Sequence, residues 1–218
     1  MKFVLPKIYP ITDPTLSSLS HAEQARRLIE GGASLIQVRD KIASPAEFYE
    51  AAAEAVELAQ KRKVKIVVND RVDVALAVGA DGVHLGQDDL PPDEARKILG
   101  PDAILGFSTH SIEQALAAMK LPIDYIAIGP IFSTSTKMDA ESTVGIEGLR
   151  RVRRDIGAFP LVAIGGVNRT NVAAVVSAGA DSAAVIGDVI SGDAYEITSR
   201  MRELLKILNS TANIVGNC

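Results

Sequence analysis

The chain has 218 residues, a net charge of −4, a hydrophobic share of 47% and an aromatic share of only 4%, with no tryptophan. That length suits one large domain or two small ones, the acidic balance argues against a nucleic-acid surface, and no apolar run is long enough to span a bilayer. The single cysteine, Cys218, has no internal partner, and Met1 to Pro10 lack the pattern of a secretory leader, so a cytoplasmic protein is expected.

Short apolar runs alternate with amphipathic segments along the chain. Strands are predicted over Lys7–Thr12, Leu35–Arg39, Lys65–Asn69, Gly82–Leu85, Ala103–Ser108, Tyr125–Ile128, Leu161–Ile164 and Ser182–Ile186. Helices between them open on capping signals: Ser20 with Glu23, Ser44 with Glu47 and Pro45 at the favoured first helical position, and Ser111 with Gln114. Gly31-Gly32-Ala33, Gly79-Ala80-Asp81 and Gly179-Ala180-Asp181 each precede a strand, where a glycine suits the left-handed residue that ends a helix. The alternation predicts an α/β fold, a single (β/α)8 TIM barrel over residues 1–208, with residues 209–218 as a flexible tail. An open doubly wound sheet would carry a glycine-rich loop after its first strand, and Tyr9-Pro10-Ile11-Thr12-Asp13-Pro14 has none.

In such a barrel, reactive groups gather where strands end and helices begin. The second strand ends Gln37-Val38-Arg39-Asp40-Lys41, and alternation turns Gln37, Arg39 and Lys41 the same way, two cations and an amide suited to an anion. For Arg39 alone, a salt bridge to an aspartate of a neighbouring strand reads equally well. The third strand ends Asn69-Asp70 and the fourth Gly86-Gln87-Asp88-Asp89, so adjacent strands bring carboxylates together. Magnesium takes one or two carboxylates with waters and phosphate oxygens, and beside Arg39 and Lys41 these residues suit a metal–polyphosphate site. Taken singly, Asp70 reads as a helix N-cap, and Asp88 and Asp89 as turn residues ahead of Pro91-Pro92. Ser108 ends the fifth strand, where its hydroxyl can donate to a phosphate.

Among the histidines, His110 reads as an acid or base or, by default, as a hydrogen-bonder near a helix cap; His84 as a pocket-facing or, by default, a packed residue; and His21 as a surface residue at a helix start. After the sixth strand, Gly129-Pro130 opens a hydroxyl-rich loop that ends in Lys137; alone it is an ordinary solvated turn. Gly165-Gly166 and Gly187, after strands seven and eight, let backbone N–H groups close on a monophosphate. Two anion sites are therefore expected, for two phosphorylated substrates or one bisphosphate.

Gln37 to Lys41, Asn69-Asp70, Gly86 to Asp89, Gly106-Phe107-Ser108, Gly129 to Lys137 and Ala163 to Gly166 together closely resemble the thiamin-phosphate synthase family, in family order from about Tyr9 to about Ile190. The resemblance implies a transferase that couples 4-amino-5-hydroxymethyl-2-methylpyrimidine diphosphate to hydroxyethylthiazole phosphate, giving thiamin phosphate and pyrophosphate. It implies that Gln37, Val38, Arg39, Asp40, Lys41, Asn69, Ser108 and Lys137 hold the pyrimidine diphosphate, with Arg39, Lys41, Ser108 and Lys137 as the catalytic set. Asp70 and Asp89 would bind Mg2+, and Thr134, Ser135, Thr136, Gly166, Ile186 and Gly187 would hold the thiazole phosphate. The loop from Ser133 to Ser142 is expected to close over both ligands. One departure stands out: where the family often has a serine, this chain has Gly187 followed by Asp188, whose charge opposes a phosphate.

The rival readings are a thiazole tautomerase on the same barrel, which would work through a histidine near His110, and a barrel that binds a phosphorylated ligand without catalysis. The expected partners are small phosphorylated molecules, not nucleic acid or membrane, and a homodimer is left open.

Overall fold

A computed structural model describes residues 3–134 and 143–215, with side chains as far as residue 210. The strands are β1 (Ile8–Thr12), β2 (Leu35–Val38), β3 (Lys65–Asn69), β4 (Gly82–Leu85), β5 (Ile104–Thr109), β6 (Tyr125–Ile128), β7 (Leu161–Ala163) and β8 (Ser182–Val185). The helices are α1 (His21–Glu30), α2 (Pro45–Gln60), α3 (Val72–Val78), α4 (Pro92–Leu99), α5 (Ile112–Ala118), α6 (Gly145–Ile156), α7 (Val172–Ser177), α8 (Gly187–Ile190) and α9 (Ala194–Val215). The strands pair in parallel in chain order, and β8 returns to β1 to close the barrel. The fold is the expected (β/α)8 barrel. α9 runs on through residues 209–215, the stretch read from sequence as the start of a loose tail.

A parallel sheet covered by helices is buried on both faces, which is why its strands read as apolar runs. Outward residues such as Ile36, Val38, Ile66, Val68 and Val83 pack against the helix ring. Inward residues form a separate cluster that includes Tyr9, Ile11, Leu35, Val67, Ile104, Tyr125, Ala127, Val162 and Ala184. Gly82 and Gly106 make room inside: a Cβ on Gly82 would strike the Ile104 carbonyl, and one on Gly106 would strike the Tyr125 ring and His84.

The helix signals act as their residue types require. Ser44 and Glu47 form a full capping box, with Ser44 N–H donating to Glu47 at 2.8 Å. Gly32, Gly79 and Gly179 take φ of 102°, 64° and 110°, so the recurrent glycine is the left-handed exit from a helix.

The rim at the strand N-termini is cross-linked by side-chain hydrogen bonds. An aspartate just ahead of each of β4, β6 and β8 accepts a backbone N–H from the preceding strand: Asp81 from Ile66 (2.8 Å), Asp124 from Leu105 (2.8 Å) and Asp181 from Leu161 (2.9 Å). Two arginines lock this rim in the same way. Arg96 of α4 donates to the carbonyls of Pro122 and Ala103 and to Asp124, and Arg153 of α6 donates to the carbonyls of Gly179 and Phe159 and to Asp181. These carbonyls lie where helices and loops leave them without backbone partners, so a charged donor there is worth more than a surface ion pair. Replacing Arg153 by alanine is expected to lower Tm by about 4–8 °C, from a loss of about 2 kcal/mol. Turnover should stay within about twofold, because reactive groups sit at the opposite rim. Thermal unfolding beside a steady-state assay checks this; an unshifted Tm would show that the rim bonds are replaced by water.

Candidate active site

A hydrogen-bonded chain crosses the inside of the barrel. Gln37 Nε2 donates to the Tyr9 hydroxyl (3.1 Å), Tyr9 meets Tyr125 (3.0 Å), Tyr125 meets His84 Nδ1 (3.0 Å), and His84 Nε2 meets Ser108 Oγ (2.9 Å). Hydroxyls and a neutral imidazole each donate once and accept, so the relay from Tyr9 to Ser108 can be satisfied with its protons running in either sense. Burial pushes both tyrosine hydroxyls well above the usual phenol range, so they stay neutral. His84 also stacks on Tyr125, with ring centroids 5.5 Å apart. Packing and pairing together hold Ser108.

Around this chain the strand ends carry alternating charge. Arg39 reaches Asp13, just beyond the end of β1, at 3.2 Å, the salt bridge that is one of its two readings. Asp13 is fixed in turn by Thr15, whose N–H and hydroxyl both donate to it. Lys41 pairs with Asp70. Asp70 adopts φ 62°, and the N-cap position of α3 is Arg71, with no side-chain cap bond. The Asp70 carboxylate is therefore not a helix cap; the left-handed turn sends it into the charged cluster. Asp89 lies beside it and accepts the Gly86 N–H at 2.6 Å. Burial, and then the adjacent Asp70, push the Asp89 carboxyl up, while the Gly86 N–H and Lys41 oppose the shift. No cluster of three or more histidine, cysteine, aspartate or glutamate side chains is found among the described residues. The donor set is this carboxylate pair, a number that suits magnesium, and its crowded negative charge fits a cation.

Other expected residues fall in distinct places. Val38 is buried against the helix layer, so only its backbone faces the mouth. Asn69 is buried at the end of β3. The Asp40 carboxylate closes its own loop by accepting from the N–H groups of Ile42 (2.8 Å) and Ala43 (2.9 Å), and it meets His21 Nε2 at 3.2 Å. Burial works to raise the Asp40 carboxyl, yet these N–H groups and His21 hold it below the usual range. His21 is not a surface residue. It is 3% exposed, because α1 begins beneath the β1 and β2 loops and its Nδ1 lies 2.7 Å from Thr12 Oγ1. Burial lowers its pKa, with Asp40 opposing.

The other half of the mouth is built from loops after β6, β7 and β8. Gly129-Pro130 is a cis peptide. Beyond it, Ile131 N–H donates to Ile164 and Phe132 N–H to Gly165, so the two loops run together. Gly165 and Gly166 have φ of 97° and 65°, and a Cβ on Gly166 would come within 2.7 Å of Phe132 Cβ and the Ser133 carbonyl. Asn171 and Asn168 hold the Gly166 carbonyl at 2.9 and 3.3 Å. His110 Nδ1 lies 2.7 Å from the Gly129 carbonyl, the hydrogen-bonding role expected of it. Ile186 packs against the barrel interior, and Gly187 opens α8. Thr134 borders the loop; Ser135, Thr136 and Lys137 lie outside the described residues.

Tyr9, Tyr125 and Asp13 are the site residues that the sequence reading missed. The tyrosines had a signal: they sit in otherwise aliphatic strands of a chain with only four tyrosines, and a buried phenol needs a partner.

The family model "Thiamine monophosphate synthase" matches residues 8–189. A thiamine-phosphate synthase of Chloroflexus aurantiacus is 44% identical over 206 residues, covering 94% of each chain. One of Clostridium novyi is 42% identical, covering 89% of this chain and 95% of its own. The solved thiamine phosphate pyrophosphorylase from Pyrococcus furiosus superposes with a TM-score of 0.84 at 39% identity, covering 94% of this chain and 96% of its own.

Tyr125→Phe removes one hydroxyl from the buried chain and leaves Tyr9 and His84 each short of a partner. Stability should fall by about 1–3 kcal/mol, and turnover by about tenfold as Ser108 loses its orientation. Combining it with Ser108→Ala should cost no more turnover than Ser108→Ala alone. Kinetics of the three variants decide it; independent, multiplying losses would show that the tyrosine does not act through Ser108.

Proposed function

The chain belongs to the thiamine monophosphate synthase family, and we propose that it couples hydroxymethylpyrimidine diphosphate to hydroxyethylthiazole phosphate with release of pyrophosphate. The observation that carries this reading is the Asp70–Asp89 carboxylate pair set beside Lys41 and Arg39 at the ends of β2, β3 and β4. A diphosphate ester is a poor leaving group until its growing charge is met, and this cluster offers both fixed cations and a place for one more.

Asp70 and Asp89 would hold Mg2+, which when bound supplies positive charge against the diphosphate oxygens. Arg39 and Lys41 exchange their present carboxylate partners, Asp13 and Asp70, for diphosphate oxygens. Ser108, held by His84, offers its hydroxyl to the diphosphate oxygens. Gln37, Val38, Asp40 and Asn69 shape the pyrimidine side, Asp40 by fixing the loop that presents Lys41. Thr134, Ser135, Thr136, Gly166, Ile186 and Gly187 take the thiazole phosphate, and Lys137 reaches the departing pyrophosphate.

The C–O bond to pyrophosphate breaks first. The pyrimidine ring spreads the positive charge left on its methylene carbon, and the thiazole nitrogen then captures that carbon. No side-chain nucleophile or general base is needed. What the protein contributes is positioning of two bound partners and stabilisation of the leaving group.

Asp89→Asn tests the metal assignment. The amide oxygen can still accept the Gly86 N–H, and the repulsion from Asp70 is gone. The ligand-free variant should therefore melt at or about 1–3 °C above wild type. Its kcat/KM in saturating Mg2+ should nevertheless fall by about 100-fold or more. Thiamin phosphate formation by the wild type in excess chelator, or near-normal turnover by the variant, would overturn the assignment.

A further inference from the structure

Asp188 follows Gly187 directly and, on the reading above, stands next to the thiazole phosphate. A carboxylate there should repel a phosphate, so its charge has to be met. In the structure it is met by Arg169, from the loop after β7. Arg169 donates its backbone N–H (3.0 Å) and Nε (3.0 Å) to Asp188 Oδ2, and its terminal nitrogen to Oδ1 (3.2 Å). Both oxygens are engaged from one side by a planar fork, a geometry that lysine could not supply. The remaining guanidinium nitrogen donates to Glu203 of α9 at 2.8 Å. The side chains of Arg169 and Asp188 are 32% and 21% exposed, so the pair is only partly screened by solvent.

The pair also ties two loops together. Arg169 lies three residues beyond Gly166, whose carbonyl is already fixed by Asn168 and Asn171. Asp188 sits in the first turn of α8, one residue beyond Gly187. An ion pair between them sets the distance between the two glycines proposed to close on one phosphate.

We infer that Arg169 is a positioning residue for the thiazole phosphate: it turns Asp188 away from the anion, cancels its charge and fixes the two phosphate-binding loops against each other. The inference rests on the proposed thiazole phosphate site. It predicts a particular pattern in KM for hydroxyethylthiazole phosphate. Arg169→Gln leaves Asp188 uncompensated and should raise that KM by about tenfold, with kcat and the KM for the pyrimidine diphosphate within about twofold. Asp188→Asn keeps one acceptor oxygen for Arg169 while removing the carboxylate charge, and should lower the same KM by about threefold. The double variant Arg169→Gln/Asp188→Asn should return close to wild type. The Arg169→Gln penalty should shrink in 0.5 M salt, on the order of what screening removes from an exposed charge.

Gly187→Asp separates the two claims. A Cβ there meets nothing within 4 Å, so the variant should fold and place a charge in the site itself. If it leaves the thiazole phosphate KM unchanged, the site is elsewhere and the reading beneath the inference fails. If it raises that KM while Arg169→Gln and Asp188→Asn do not move it, the inference alone fails. Should Arg169→Gln not fold, Asp188→Asn decides: an unchanged or raised KM would overturn the role given to Arg169. Equal losses for both substrates in Arg169→Gln, with no recovery in the double variant, would reduce the pair to a structural clasp.

Discussion

A hydroxyl buried among aliphatic side chains has to find a partner, and at the centre of this barrel Tyr9 and Tyr125 find each other. Much of the mouth follows from that contact. Tyr9 takes the one amide at the inner end of β2, which fixes Gln37; Tyr125 takes His84, which in turn takes Ser108. The rings fit because β5 carries Gly106 where any side chain would meet them. The polar groups on β2 and β5, which flank the β3 and β4 ends that carry the metal-binding candidates, are held by one another through the core. A preorganised donor is worth more to a developing charge than one that must reorient.

A second rule governs the cations described at this half of the mouth: each rests on a carboxylate. Arg39 rests on Asp13 and Lys41 on Asp70. Asp89 is the exception in sign, a carboxyl pushed up by burial and by the neighbouring Asp70. That residual repulsion is small in stability and large in consequence, because a cation relieves it and the released Lys41 then has its charge to offer. The same logic runs on the far side of the mouth, where Arg169 is spent on Asp188. Charge balance across the rim, more than any single residue, separates the proposed diphosphate half from the monophosphate half.

How much of this could be read from the sequence differs by length scale. Strand and helix positions follow local periodicity and capping, and glycines such as Gly79 announced the left-handed turns that the fold uses. Closure of the barrel follows from eight repeats in one domain. What could not be read was long-range facing. Nothing near Arg39 in the chain points to Asp13, and nothing near Tyr9 points to Tyr125; only the closed parallel sheet brings them together. His21 failed for the same reason: a helix start reads as exposed unless the loop above it is known, and here Asp40 and Thr12 cover it. Asp70 had two readings in sequence, cap or ligand, and its φ of 62° removes the first. Residues 209–215 read as a tail because their polar composition says little, whereas helix α9 simply continues through them.

The central claim is that one barrel mouth brings two phosphorylated substrates together and that the pyrimidine loses its diphosphate there. Its most direct test follows pyrophosphate release continuously with both substrates and Mg2+, against each substrate alone, while thiamin phosphate is measured in parallel. The account predicts one thiamin phosphate formed for each pyrophosphate released when both substrates are present, and only slow release from the pyrimidine diphosphate by itself. No release with both substrates, or equal release without the thiazole phosphate and no thiamin phosphate formed, would contradict it.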